Sequence, residues 1–134
     1  MTATQAGLRD AAHRKFKDRA FQIRLSDGRV EADLVSQTLT EANGYAHYAF
    51  TLTTDGAYEA APRAGVLARW AMDQVVAQFS ASGATYQFES AYLVDASALT
   101  TPLLYVVSDS TVTVFNGGDP AEVRFTLEEI SVDA

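Results

Sequence analysis

The chain has no cysteine, two histidines, one tryptophan and three prolines in 134 residues. Without cysteine, disulfides, thiolate metal sites and thiol catalysis are excluded. No apolar run approaches the roughly 20 residues a membrane helix needs, so no membrane partner is expected. The opening residues, MTATQAGLRDAAHRKFKDR, contain no apolar leader core, which predicts no signal peptide and assembly inside a cell. His13 and His47 are distant in sequence and cannot supply the cluster of His with Glu that a metal site on a jelly roll requires. There is no G-x-S-x-G elbow. The NGGDP stretch at 116–120 lacks the Lys and Ser or Thr that complete a phosphate loop. Glu128 and Glu129 are adjacent, and adjacent strand residues point to opposite faces, so they are poor acid–base partners. Asp55 and Glu59, with Tyr58 in the same stretch, could offer oxygens to Ca²⁺, but a solvated loop is the better reading. No catalytic residue, metal or cofactor is therefore expected, and the chain is read as a non-enzyme.

What is present suits one folded domain. Hydrophobic residues make up 48% of the chain, enough for an ordinary core and too many for a disordered one. The net charge of −7 is unevenly spread. Between residues 9 and 24, Arg9, Arg14, Lys15, Lys17, Arg19 and Arg24 face only Asp10 and Asp18, a local +4. The remainder carries four basic and fifteen acidic residues, a net −11. A basic segment on an acidic body is either a solvated helix face or an arm that docks on an acidic neighbour, such as another copy. Nucleic acid is not expected as a partner. The body would repel phosphate, and the segment has one aromatic, Phe16.

Leu8, Ala11, Ala12 and Phe16 recur at helical spacing, which predicts a helix over about residues 4–17. The period then changes to two. Phe21, Ile23 and Leu25, then Val30, Ala32 and Leu34, flank Asp27-Gly28 and predict a tight hairpin. Residues 36–44 (SQTLTEANG) read as a connection turning at Asn43-Gly44, and YAHYAFTLT as a strand with Tyr48, Phe50 and Leu52 on one face. Residues 54–65 read as the longest irregular stretch. Residues 66–79 fit a helix and a strand equally well. FSASGATYQFESAYLV at 79–94 reads as two strands joined at Ser82-Gly83, with Tyr86 and Phe88 facing a second sheet. Strands follow at 85–94, 102–107, 111–115 and 121–132, the last slipping one place at Glu129 as a β-bulge would produce. Many short strands with turns between them describe an all-β fold: an antiparallel β-sandwich, jelly-roll-like, with a short N-terminal α-helix. The division is a basic helical arm at 1–18 and a β-sandwich domain at 19–134.

The order of GYAHYAFTL, QVVAQFSASGATYQFESAYLVD and PLLYVVSDSTVTVFNGGDPAEVRFTLEEISVD resembles small virion proteins of tailed bacteriophages, often labelled tail or tail-fibre proteins. The matching pieces are Gly44 to Leu52, Val75 to Gly83, Tyr86 to Ala96, Leu103 to Tyr105 and Asn116 to Leu127, within residues 44–132. The basic helix and the QIRLSDGRVEADL stretch depart from the family's opening, and Thr54 to Gly65 looks inserted. The resemblance implies a strand at 74–81. It also implies a non-enzymatic virion component assembled in a host cytoplasm: a tail, fibre or adaptor protein, or alternatively a capsid decoration protein.

Partner-binding residues are expected in the arm and among the aromatics. Arg14, Lys15, Lys17 and Arg19 would meet acidic groups, and Leu8 and Phe16 would add apolar anchors. Removing residues 1–18 should then abolish assembly and leave the sandwich folded. Tyr58 and Trp70 are interface candidates. They also stack well on sugars, so a carbohydrate-binding module, with a glycan as partner, is the alternative to a homo-oligomer bound to other virion proteins.

Overall fold

The computed structural model describes residues 3–132. Met1, Thr2, Asp133 and Ala134, the outer ends of the two expected regions, lie outside the described residues. In chain order the elements are α1 (Gln5–Phe16), β1 (Ala20–Ser26), a 3₁₀ turn at Glu31–Asp33, β2 (Tyr48–Thr51), β3 (Ala57–Arg63), β4 (Val66–Phe79), β5 (Tyr86–Asp95), β6 (Leu104–Val114) and β7 (Ala121–Ser131). The chain is mostly β with one short helix, as its alternation predicts. The strands form one sheet of order β2-β1-β5-β6 and another of order β3-β4-β7. The pairs β1–β5, β5–β6 and β3–β4 are antiparallel.

The fold has two compact units. One joins the segment ending at Arg19 to Thr51–Val75 and to the segment from Arg124. The helix α1 thus shares a unit with β3 and most of β4. The helix starts where Thr4 accepts a hydrogen bond from the Gly7 N–H at 3.0 Å and satisfies one of the free donors of the first turn. It ends with His13, Arg14 and Lys15 beside the free carbonyls, the favourable end for cations. Its inner face is Leu8 and Ala12, four residues apart and both buried. Beyond it, the Asp18 N–H donates to the Leu52 carbonyl at 2.7 Å.

The second unit holds β1, β5 and β6. Opposed residues share a face in an antiparallel pair. Ile23–Leu93–Leu104 and Leu25–Ala91–Val106 make rows on one face of this sheet, and Arg24–Tyr92–Tyr105 a row on the other. β5 is central and is buried on both faces from Ser90 to Val94.

Four sequence expectations are corrected. The segment after Asp27-Gly28 does not return as a hairpin strand; β1 pairs with β5 instead. Gly28 is there for close approach, since a Cβ on it would lie 2.6 Å from the Asp33 carbonyl oxygen. The Ser26 hydroxyl accepts from Gly28 N–H and donates to Leu34 O at 2.7 Å, which curls the chain into the 3₁₀ turn. Leu34 thereby packs on Tyr92 and Val94.

Residues 54–65 are not irregular, because β3 occupies most of them. It is an edge strand exposed along almost its whole length, so it carries no hydrophobic period to detect. The ambiguous 66–79 segment is strand β4. Its inward set is Val66, Ala68, Trp70 and Met72, then Val75, Ala77 and Phe79, so the alternation slips at Asp73–Gln74. The slip expected at Glu129 is absent: the inward set of β7 runs Val123, Phe125, Leu127 and on to Ser131, leaving Ile130 exposed.

Residues 102–107 and 111–115 belong to one strand, β6, with a break where the sequence suggested a gap. Five steps along β6, from Val107 to Val112, oppose two along β5, from Ser90 to Phe88.

Candidate assembly surface

All eight residues singled out from the sequence lie in the unit that contains α1. Within it the Asp55 carbonyl accepts two hydrogen bonds, from Trp70 Nε1–H at 2.8 Å and from His13 Nε2–H at 2.7 Å. The two rings meet edge to face with centroids 6.1 Å apart. Gly56 completes the turn at φ +79°, where a Cβ would fall 2.5 Å from Ala71 O and 2.6 Å from Trp70 Nε1. Trp70 is thus a buried anchor of this loop. Tyr58, opposite Trp70 across β3–β4, is 39% exposed.

The basic segment is met in part by acids of its own unit. Lys17 Nζ lies 3.0 Å from Asp55 Oδ1, and Lys15 Nζ lies 2.7 Å from Glu129 Oε2. The hydrogen bond from Lys17 holds the Asp55 carboxyl below its usual range. Arg14 and Arg19 are exposed, and Phe16 is half-buried. Leu8, expected as an anchor for a partner, is 2% exposed and covered by this chain itself, so it is not offered to a neighbour.

Two further acids of this unit, Glu59 and Glu128, are paired as well. Arg69 bridges Glu59 at 2.9 Å and Glu128 at 3.2 Å, and Arg63 reaches the other oxygen of Glu128 at 2.6 Å. The hydrogen bond from Arg63 holds the Glu128 carboxyl below its ordinary value of 4.5 against the opposing effect of burial. Asp55 and Glu59 therefore face different cations and do not converge as a Ca²⁺ site. Among the described residues no group of three or more His, Asp or Glu side chains is placed to hold a metal. In the other unit, one oxygen of Glu41 accepts from both the backbone N–H and the Nδ1 of His47, a local latch.

A different surface was not anticipated. β6 is an edge strand, and Leu103, Leu104, Tyr105 and Val106 are 49%, 38%, 46% and 47% exposed. From Ala96 to Ser108 the chain has no charged residue. The PLLYVV run was a usable signal: a strand apolar at every position is normally covered on both faces. Pairing register was needed to show that β6 ends its sheet. Its uncovered stretch stops at a clamp. Glu89 accepts from Thr111 Oγ1 at 2.6 Å and from Arg29 Nη1 at 2.8 Å, while Arg29 Nη2 donates to Ser108 O at 3.2 Å. These bonds secure the extra residues of β6 against the sheet.

Comparison with protein-family models, with curated proteins and with solved structures finds no match to this chain.

Proposed function

We propose that the chain is a non-enzymatic structural protein of a tailed-bacteriophage virion, a tail, fibre or adaptor component that works by assembling with copies of itself and with other virion proteins. The observation that carries the reading is the bare β6 edge: four consecutive apolar residues exposed on a chain of net charge −7. Soluble proteins normally blunt or cover such an edge, so an uncovered one suits a subunit of something larger. The phrases from Gly44 to Leu127 supply the phage assignment by resemblance. One-face burial along β1, β4 and β7 supports a two-sheet sandwich of jelly-roll type.

Mass spectrometry of virions purified from a culture that produces the chain tests this function. Its peptides are expected at constant stoichiometry to the particles through successive purification steps. Loss of the chain from particles that remain infectious would overturn the assignment. Capsid decoration is the variant reading, and immunogold labelling of shell rather than tail would select it. The exposed rings of Tyr58 and Tyr105 keep a carbohydrate-binding module as the second reading. Titration with bacterial surface glycans would show whether either ring responds.

A further inference from the structure

We infer that two copies of this chain join through β6, edge to edge and antiparallel, with a two-fold axis beside Tyr105. This rests on the assembling function proposed above and names the surface and the partner. An open strand edge is a row of unpaired N–H and C=O groups, so its natural occupant is another strand. Two rows of core residues also run out at this edge. Ile23–Leu93–Leu104 and Leu25–Ala91–Val106 begin with fully buried side chains and end on exposed ones. A further apolar strand would continue both rows.

The occupant is a second copy because of charge and closure. Copies that each carry −7 repel except where a surface is uncharged, and the stretch from Leu103, just before β6, to Ser108 has no charge. Two identical edges pair about a two-fold axis, which closes the assembly as a dimer.

The other three edges are each blunted. β2 is four residues long. β3 carries Pro62, and next to it Ala61 at φ +46°. β7 presents Glu122, Arg124, Glu128 and Glu129. Short strands, proline, irregular backbone and charge are the usual devices against edge pairing, and β6 has none of them between Pro102 and the Glu89 clamp. The open run is thus Leu103–Val107, whose middle residue is Tyr105. Centring the axis there sets Tyr105 against its own copy and Leu104 against Val106.

Light scattering on the full chain, the Leu104→Lys/Val106→Lys variant and a Thr126→Lys control would test this. The expected masses are twice 14.4 kDa for the full chain and the control, and 14.4 kDa for the double variant. A double variant that stays dimeric would overturn the β6 site and leave the assembling function standing. A wild-type monomer at all concentrations would overturn the pairing itself, whatever the virion measurement shows. Should the double variant not fold, cysteine cross-linking decides, since the chain has no cysteine of its own. Under mild oxidation Tyr105→Cys should form a covalent dimer and Leu103→Cys should not. Four residue steps would separate position 103 from its counterpart in the second copy, roughly 13 Å, beyond disulfide reach. Equal cross-linking at both positions, or none at either, would sink the register.

Discussion

Trp70 and Asp55 are joined by a 2.8 Å hydrogen bond from the indole N–H to the backbone carbonyl, and His13 of the helix donates to the same oxygen. One carbonyl thus ties α1, the loop before β3 and the centre of β4. Trp70→Phe keeps most of the buried ring and removes one donor, for a loss of about 1 kcal/mol. Gly56→Ala places a methyl group against the Ala71 carbonyl at a positive φ, for a loss of roughly 1–3 kcal/mol. Urea unfolding of both variants checks the order: Gly56→Ala should be the more damaging.

The helix is part of the fold. Leu8→Ala should cost roughly 2–4 kcal/mol, the range for a buried leucine. Removing residues 1–18 should lower the melting temperature sharply, contrary to the expectation from sequence that the strands would remain folded without them. A truncated chain that melts like the full one would show that α1 contributes nothing to its unit.

The Glu89 clamp should govern local opening of β6. Glu89→Ala removes the acceptor for both Thr111 and Arg29, and amide exchange over residues 108–112 should quicken while β1 is unchanged. Unaltered exchange there would mean that backbone pairing alone holds the extra residues.

Acid should weaken both units through their paired carboxylates. Glu41, Glu128 and Asp55 all have carboxyls held below their ordinary values by hydrogen bonds from His47, Arg63 and Lys17. A depressed folded value means that the contribution is complete above the ordinary value, 4.5 for Glu and 3.8 for Asp, and is lost as pH falls through the folded one. Denaturation midpoints should therefore drop progressively below about pH 4.5. Glu128→Gln should flatten that fall, and an unchanged slope would exclude Glu128 from it.

Tyr45 should set the alkaline limit. Burial pushes its phenol up to about 12, opposed by the hydrogen bond from the Leu25 N–H. The folded value lies above the ordinary 10, so this stabilisation is complete below pH 10 and is lost as pH rises towards 12. Phenolate absorbance should show Tyr45 ionising late, as the chain unfolds. Tyr45→Phe should remove that late step and cost about 1–2 kcal/mol at neutral pH by leaving the Leu25 N–H unpaired.

Much of the fold was fixed by local pattern. Leu8 and Ala12 at one-turn spacing make α1, and alternation in Phe21–Leu25, Tyr86–Phe88 and Val123–Leu127 makes half-buried strands whatever they pair with. The absence of cysteine rules out disulfides by composition alone. Partner choice was beyond that pattern, because a strand's neighbours are distant in sequence. Asp27-Gly28 has the residues of a hairpin turn, yet Ser26 uses its hydroxyl on Gly28 and Leu34, and β1 takes β5. β3 has no buried face and hence no period. Segment 66–79 satisfies two periods at once until sheet pairing selects one. The basic segment looked like a free arm because sequence shows charge but not distance; folding brings Lys15 to Glu129 and Lys17 to Asp55. The same holds for β6. Its apolar run is plain in the sequence, but only the strand order leaves it at an edge, where those side chains meet water rather than a neighbour.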